Sequence, residues 1–186
     1  MNTVRIVGGN WRRRVLRFPD STGLRPSPDR VRETLFNWLG QSLEGWVCLD
    51  LFAGSGALGF EAASRGADRV VMVEKATRVF AALKDNAQLL EAGHKVELLR
   101  GDALQYAAST SSRFDLIFLD PPYHCGWIDK LAPFLGRLAG ENAALYVETE
   151  YPIDSLGSWT TTRRGRAGEV HYHLLQRHPA PEHVDV

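Results

Sequence analysis

Cysteine and lysine are both scarce in this chain of 186 residues. Its two cysteines, Cys48 and Cys125, are too few for a disulfide scaffold and have no metal-ligand spacing, so reduced thiols and no bound metal are expected. Long apolar runs are missing as well. No stretch reaches the roughly eighteen apolar residues of a membrane-spanning helix, and the first residues lack the apolar core of a secretory signal. The expected compartment is therefore the cytoplasm. Net charge is zero, so no global excess of basic charge draws the chain to nucleic acid.

What charge there is lies unevenly. Of the 22 cationic residues 18 are arginine and four are lysine, a bias toward the planar donor that grips phosphate bidentately and stacks on bases. Arg5, Arg12, Arg13, Arg14, Arg17, Arg25, Arg30 and Arg32 all fall within residues 1–32 against Asp20 and Asp29, so that segment carries +6 and the remainder −6. A GC-rich genome would raise arginine everywhere, and the clustering is left unexplained by it. The 44% hydrophobic and 24% charged fractions, with this length, are those of one ordinary globular domain.

The rest of the chain is organised around residues 48–59. An apolar, strand-like run passes Asp50 and enters a turn with Gly54 and Gly56, and Gly59 follows in a helix-like pattern. Lacking Cβ atoms, Gly54 and Gly56 let a ligand lie against the backbone, while Gly59 lets the helix pack close to the strand. The helix start then offers free N–H groups. Glu74 closes a second apolar run, Val70 to Val73, at the position where an acid reaches ribose hydroxyls. This stretch alone leaves nicotinamide and S-adenosyl-L-methionine equally open.

From residue 46 onward apolar runs at 46–51, 70–74, 96–99, 114–119 and 143–148 alternate with helical patterns at 57–65, 76–91, 103–109 and 127–138. Such alternation predicts right-handed crossovers and a parallel sheet covered on both faces, with ligands beyond the carboxyl ends of its strands. Asp50, Glu74, Asp102 and Asp120 each fall at or just past the end of a different predicted strand, so all four are expected in one crevice. The end of the chain changes character: 159–162 and 169–175 read as an antiparallel hairpin across an arginine-rich turn. His171 and His173 share a face of that strand, and without a third ligand nearby they read as structural or exposed histidines.

Ahead of the crevice, Val4 to Val7 and Val15 to Phe18 read as short strands flanking Trp11-Arg12-Arg13-Arg14. Three arginines with an aromatic suit a phosphate backbone and an unpaired base, and the same hairpin with Trp11 as packing is the simpler alternative. Ser27 suits a helix N-cap with Pro28 at the first position, and Val31, Leu35 and Trp38 give that helix one apolar face ending at Gly40. Arg30 and Arg32 near its start oppose the helix dipole, which points to an anion or to ion pairs with Asp29 or Glu33.

Asp120-Pro121-Pro122-Tyr123, after the apolar run 116–119, separates the two cofactor classes. With the Leu49 to Gly56 stretch and Gly101-Asp102-Ala103-Leu104, it resembles the methyltransferases that act on exocyclic amines. Arg5-Ile6-Val7-Gly8-Gly9, the run from Leu24 through Arg25-Pro26-Ser27-Pro28-Asp29-Arg30 to Leu39, and Gly168-Glu169-Val170 narrow this: the chain resembles the RsmD family, which methylates guanine N2 in small-subunit ribosomal RNA. The resemblance implies a Rossmann-like class I methyltransferase, α/β, with a mostly parallel seven-stranded sheet and a C-terminal antiparallel hairpin. It implies S-adenosyl-L-methionine held by Asp50, Phe52, Ala53, Gly54, Ser55, Gly56, Gly59, Glu74, Asp102 and Ala103, with Glu74 on the ribose, Asp102 on the adenine amine and Asp50 with the glycine turn at the methionine end.

An exocyclic amine is a poor nucleophile, because its lone pair is delocalised into the ring. The Asp120 carboxylate and the Pro121 carbonyl can each accept one N–H and turn that lone pair toward the methyl donor, Pro122 stiffens the loop, and Tyr123 offers a ring for a flipped base. RNA contacts are expected from Arg5, Trp11, Arg12, Arg13, Arg14, Arg30 and Arg32. The expected organisation is a basic arm and helix at 1–40, a methyltransferase domain at 41–178 and a tail at 179–186. The expected partner of this monomer is small-subunit ribosomal RNA or the assembling small subunit. DNA adenine-N6 or cytosine-N4 methylation and a non-catalytic RNA-binding assembly factor remain as alternatives.

Overall fold

The computed structural model describes residues 1–177; the tail expected at 179–186 lies outside the described residues. Strands β1 (Asn2–Arg5) and β2 (Val15–Phe18) form a separate antiparallel pair, and helix α1 (Asp29–Trp38) follows. Then come β3 (Val47–Asp50), α2 (Ala57–Ser64), β4 (Arg69–Glu74), α3 (Thr77–Leu89), β5 (Val96–Arg100), α4 (Ala103–Ser109), β6 (Phe114–Leu119), α5 (Trp127–Leu138), β7 (Ala139–Thr149), β8 (Ser155–Leu156), β9 (Trp159–Ala167) and β10 (Val170–Arg177). The main sheet has the order β5-β4-β3-β6-β7-β10-β9-β8, parallel from β5 to β7 and antiparallel beyond. Among the described residues the two-residue edge strand β8 makes it eight-stranded rather than seven-stranded.

Each central strand is apolar on both faces because the sheet is covered on both faces. Side chains alternate across it: Cys48, Val70, Met72, Leu116 and Phe118 go to one core, and Leu49, Val71, Val73, Ile117 and Leu119 go to the other. The second core is closed by α4 and α5, the first by α2 and the N-terminal segment. β7 begins four residues before the expected 143: Ala139 pairs with Phe114 of β6, and Gly140, Glu141 and Asn142, which carry no apolar pattern, lie in the register shift between that pair and Leu116 with Ala144.

Residues 1–40 are not a free arm. Val4, Ile6, Leu16, Phe18, Val31, Leu35 and Phe36 belong to the same buried cluster as α2, and every residue of α2 is buried under them. At the centre of that contact the fully buried Glu61 carboxylate accepts the N–H of Val7 (2.9 Å) and of Gly8 (2.7 Å) and pairs with Arg32 (2.9 Å) and Arg65 (3.0 Å). Arg32 is wholly buried, with further bonds to Asp29 and to the carbonyls of Arg5 and Ser27. Its assignment to an RNA surface is therefore corrected: with Arg65 it is one of the two cations that make burial of Glu61 tolerable. Ser27 is no N-cap either, because Pro28 takes that position and the Ser27 hydroxyl turns away to Glu148.

Candidate active site

The chain runs outward from β3 to β4 to β5 and then returns to the other side of β3 as β6, so the order reverses between β3 and β6. A crevice opens beyond the carboxyl ends of strands at such a reversal. The turn after β3 is drawn toward β4 by the Ala53 N–H to the Val73 carbonyl (3.0 Å), and Gly54 (φ 52°) and Gly56 (φ 81°) adopt the left-handed conformation that favours glycine. A Cβ on Gly56 would meet the Phe60 ring at 2.5 Å, in the core and not in ligand space. A Cβ on Gly59 would meet Met72 of β4 at 2.8 Å, so this glycine does serve close packing of α2 on the sheet, against β4 and not β3.

The strand-end acids are brought to this edge in different states. Asp50 is almost wholly buried beneath the turn and accepts the Phe52 N–H (3.3 Å), with the Gly59 N–H as a further donor. Burial pushes its carboxyl up to about 7, against the pull of those two N–H groups and with help from the charges of Glu74 and Glu148. Its place is to shape the turn from below. Glu74 accepts the Gly54 N–H (2.9 Å) and the Ala76 N–H (2.7 Å), one on each oxygen. Asp102 caps α4 through the N–H groups of Leu104 (3.0 Å) and Gln105 (3.2 Å) and faces Lys75 at 3.3 Å. Slight burial raises its pKa, and those donors outweigh it, so the carboxylate is held below its ordinary value.

Ala53, Ser55 and Ala103 are buried around the turn and at the start of α4, and the Ser55 hydroxyl accepts the Ala57 N–H (3.3 Å) at the first turn of α2. Phe52 stands half-buried against Trp127, ring centroids 5.2 Å apart. These residues fit a nucleoside ligand: two acceptor acids, Glu74 and Asp102, sit at neighbouring strand ends beside a glycine turn, and ribose hydroxyls and an adenine amine are donors.

Asp120 ends β6 beside Asp50 on β3 and Glu148 on β7. Burial first, then the charges of Glu148 and Asp50 and a hydrogen bond with Glu148, hold its carboxyl well above the usual carboxylate range. Pro121 is buried, Pro122 exposed, and Tyr123 38% exposed. Burial, then Asp120, Glu148 and Glu150, push the Tyr123 phenol up to about 12, so three acids surround this loop. The loop and residues 148–151 enclose a recess of about 130 Å³. A wider recess of about 500 Å³ between β1 and Leu24-Arg25-Pro26 is lined by no acid.

The sequence profile of the family described as Conserved hypothetical protein 95 matches residues 4–176. The Escherichia coli protein named ribosomal RNA small subunit methyltransferase D is 42% identical over 180 residues, 94% of this chain and 90% of that protein. The chain belongs to the RsmD family. The Haemophilus influenzae protein of the same name is 41% identical, with 93% of each chain covered. Among solved structures, yhhF of Escherichia coli superposes with a TM-score of 0.86 at 38% identity, over 96% of this chain and 100% of that one. An RNA methyltransferase from Salinibacter ruber in complex with S-adenosyl-L-homocysteine shares the fold at a TM-score of 0.64 and 20% identity.

In this RsmD-family chain the exposed arginines divide by position. A helix that follows a parallel strand runs back down the sheet, so the C-terminal ends of α2 and α3 lie at the end opposite the crevice. The Trp11 to Arg14 turn docks there: Asn10 and Trp11 donate to Ser64 (2.7 and 2.9 Å), and Arg14 donates to the Leu89 carbonyl (2.6 Å) at the end of α3. Arg12, Arg13, Arg14 and Arg5 are exposed, while Trp11 is half-buried against the core. Arg25 and Arg30 are exposed at the crevice end, where Leu24 overlies Gly54 and the neighbouring Ser27 donates to Glu148.

The sequence reading missed Glu148 and Glu150. Glu148 is buried, accepts the hydroxyls of Tyr146 (2.7 Å) and Ser27, and its charge helps raise the Asp120 carboxyl. Its only sequence signal is an acid ending an apolar strand, the same signal that found Asp120. His173 is fully buried and takes the Ile153 N–H (3.1 Å) while its other nitrogen faces the Val147 carbonyl (3.2 Å). Burial lowers its pKa, which keeps it neutral, in the structural role expected of it. Among the described residues no cluster of metal-ligating side chains occurs and no helix is long and apolar enough to cross a membrane.

Proposed function

We propose that this chain transfers a methyl group from S-adenosyl-L-methionine to the exocyclic N2 of a guanine in small-subunit ribosomal RNA. The observation that carries the reading is the position of Asp120-Pro121-Pro122-Tyr123 at the β3/β6 reversal, one strand from the glycine turn, in a chain whose relatives are named ribosomal RNA small subunit methyltransferase D. The cofactor, when bound, supplies an electrophilic methyl on a sulfonium, so the protein chiefly has to bind, orient and hold protons.

Glu74 and Asp102 hold the nucleoside half, and Phe52 with the 53–56 turn, shaped from below by Asp50, holds the methionine half. Asp120 and the Pro121 carbonyl accept the two amine N–H bonds, which directs the lone pair and stabilises positive charge as it grows on nitrogen, a gain made mainly in the transition state. Tyr123 stacks on the flipped base. RNA phosphates lie across Arg25 and Arg30 at the crevice end, and Arg5, Trp11 and Arg12 to Arg14 extend the contact surface at the far end.

The test is isotope transfer from labelled S-adenosyl-L-methionine into small-subunit RNA from a strain lacking the gene, followed by nucleoside analysis. N2-methylguanosine is expected. Label in an adenine or cytosine amine, in DNA, or in nothing would overturn the reading.

A further inference from the structure

A flipped base is read along its Watson–Crick edge, and the purines differ there. Guanine presents two adjacent donors, N1–H and the N2 amine, whereas adenine sets its amine beside an N1 that only accepts. A pocket that selects guanine therefore needs a second acceptor next to the one that takes the amine, and none of the residues assigned above supplies it.

The recess beside Tyr123 offers two acids, Glu148 and Glu150. Glu148 is buried, and one of its oxygens already accepts the hydroxyls of both Ser27 and Tyr146. Glu150 is different. One oxygen accepts the His124 N–H (2.9 Å) and lies 3.4 Å from His124 Nδ1; the other accepts no hydrogen bond from any described residue. The side chain keeps 26% of its surface exposed, facing the recess. Its aim is fixed by the loop itself, because His124 holds a left-handed backbone (φ 59°) directly after Tyr123, and the Tyr123 phenol lies in the field of Asp120, Glu148 and Glu150 together.

We propose that Glu150 is the residue that selects guanine, its free carboxylate oxygen accepting the N1–H of the flipped base while Asp120 accepts at N2. This rests on the guanine-N2 reading above. A base with an unprotonated N1 would set a lone pair against a carboxylate and leave that oxygen unpaired, which a site built to hydrogen-bond its substrate rejects strongly.

The test uses 2-aminopurine, which keeps the amine at position 2 but has a bare N1. The target guanine is first mapped on RNA methylated by the wild-type protein. RNA carrying guanine or 2-aminopurine at that position is then compared by kcat/KM. The wild-type protein should prefer guanine by about 10²-fold or more. Glu150→Gln, whose amide donates as well as accepts, should shrink that preference at least tenfold and raise the absolute rate on 2-aminopurine, a gain that loss of folding cannot mimic. An active wild-type protein whose preference is the same in Glu150→Gln would overturn the role of Glu150 and leave the guanine-N2 reading standing. A wild-type protein that methylates no guanine would sink both.

Discussion

Asp120, just past the end of β6, stands beside Glu148 on the neighbouring parallel strand β7, and burial first, then the charges of Glu148 and Asp50, hold the Asp120 carboxyl well above its ordinary range. Asp120 accepts best as a carboxylate. As pH rises through its elevated pKa, kcat should climb along a limb lying above the ordinary carboxylate range. Glu148→Gln removes the like charge and should move that limb to lower pH. Profiles of kcat against pH for the two proteins decide it, and superimposable limbs would separate Asp120 from the rate.

Asp120→Ala should lower turnover by about 10²-fold or more, the scale of removing one preorganised group from a transition-state site. Affinity for S-adenosyl-L-methionine should stay nearly unchanged, because Glu74, Asp102 and the glycine turn are untouched. Calorimetry beside single-turnover rates separates the two effects. Near-normal turnover would rule out the assigned role.

Asp50 should govern a pH-dependent part of stability. Its carboxyl rises from 3.8 to about 7 in the fold, so the stability it contributes is complete below 3.8 and lost as pH rises through 7. Asp50→Asn imitates the protonated form while keeping an acceptor for the Phe52 N–H. The variant should match the wild type near pH 4 and exceed it by on the order of 3 kcal/mol by pH 8. Denaturant melts at both pH values give the comparison, and a gap that does not grow with pH would be evidence against it.

Two glycines should differ in what an added methyl costs. At Gly59 the Cβ meets the flexible Met72 side chain at 2.8 Å, and Gly59→Ala should cost about 1 to 3 kcal/mol as overpacking. At Gly9 it meets the Ser64 carbonyl oxygen at 1.9 Å with φ at 76°, so Gly9→Ala should cost more. Chemical unfolding ranks them; the reverse order would mean the N-terminal segment is not tightly docked on α2.

The arginines can be sorted by salt dependence. If RNA crosses the crevice end, Arg25→Ala with Arg30→Ala should flatten the log-log slope of binding against salt by about 0.7 per lost contact on single-stranded RNA. Replacing Arg12, Arg13 and Arg14 should change the slope less, since Arg14 already caps α3 at the opposite end. A larger effect from the triple replacement would place the RNA path at the far end of the sheet.

Local pattern was enough for the parallel sheet and for its ligand edge. Apolar runs alternating with helical periodicity dictate crossovers, and Asp50, Glu74, Asp102 and Asp120 were legible because a strand end followed by a turn is a short-range signal. The role of a charge was not. Arg32 and Arg30 are alike in sequence, yet one is buried on Glu61 and the other exposed, because α2 is covered by a segment some thirty residues away. Glu148 and Glu150 gain their meaning from Ser27, 121 positions earlier, and from His124, 26 positions earlier. Three consecutive arginines read as an RNA-contacting hairpin, and its place at the end of the sheet opposite the crevice, by Ser64 and Leu89, is set by docking on α2 and α3. Backbone periodicity is set by neighbours in the chain, so sequence alone determined the alternation of strands and helices from β3 to α5; the edge strand β8, the start of β7, solvent exposure and the company a side chain keeps are set by strand order and helix direction, and those only the tertiary structure decided.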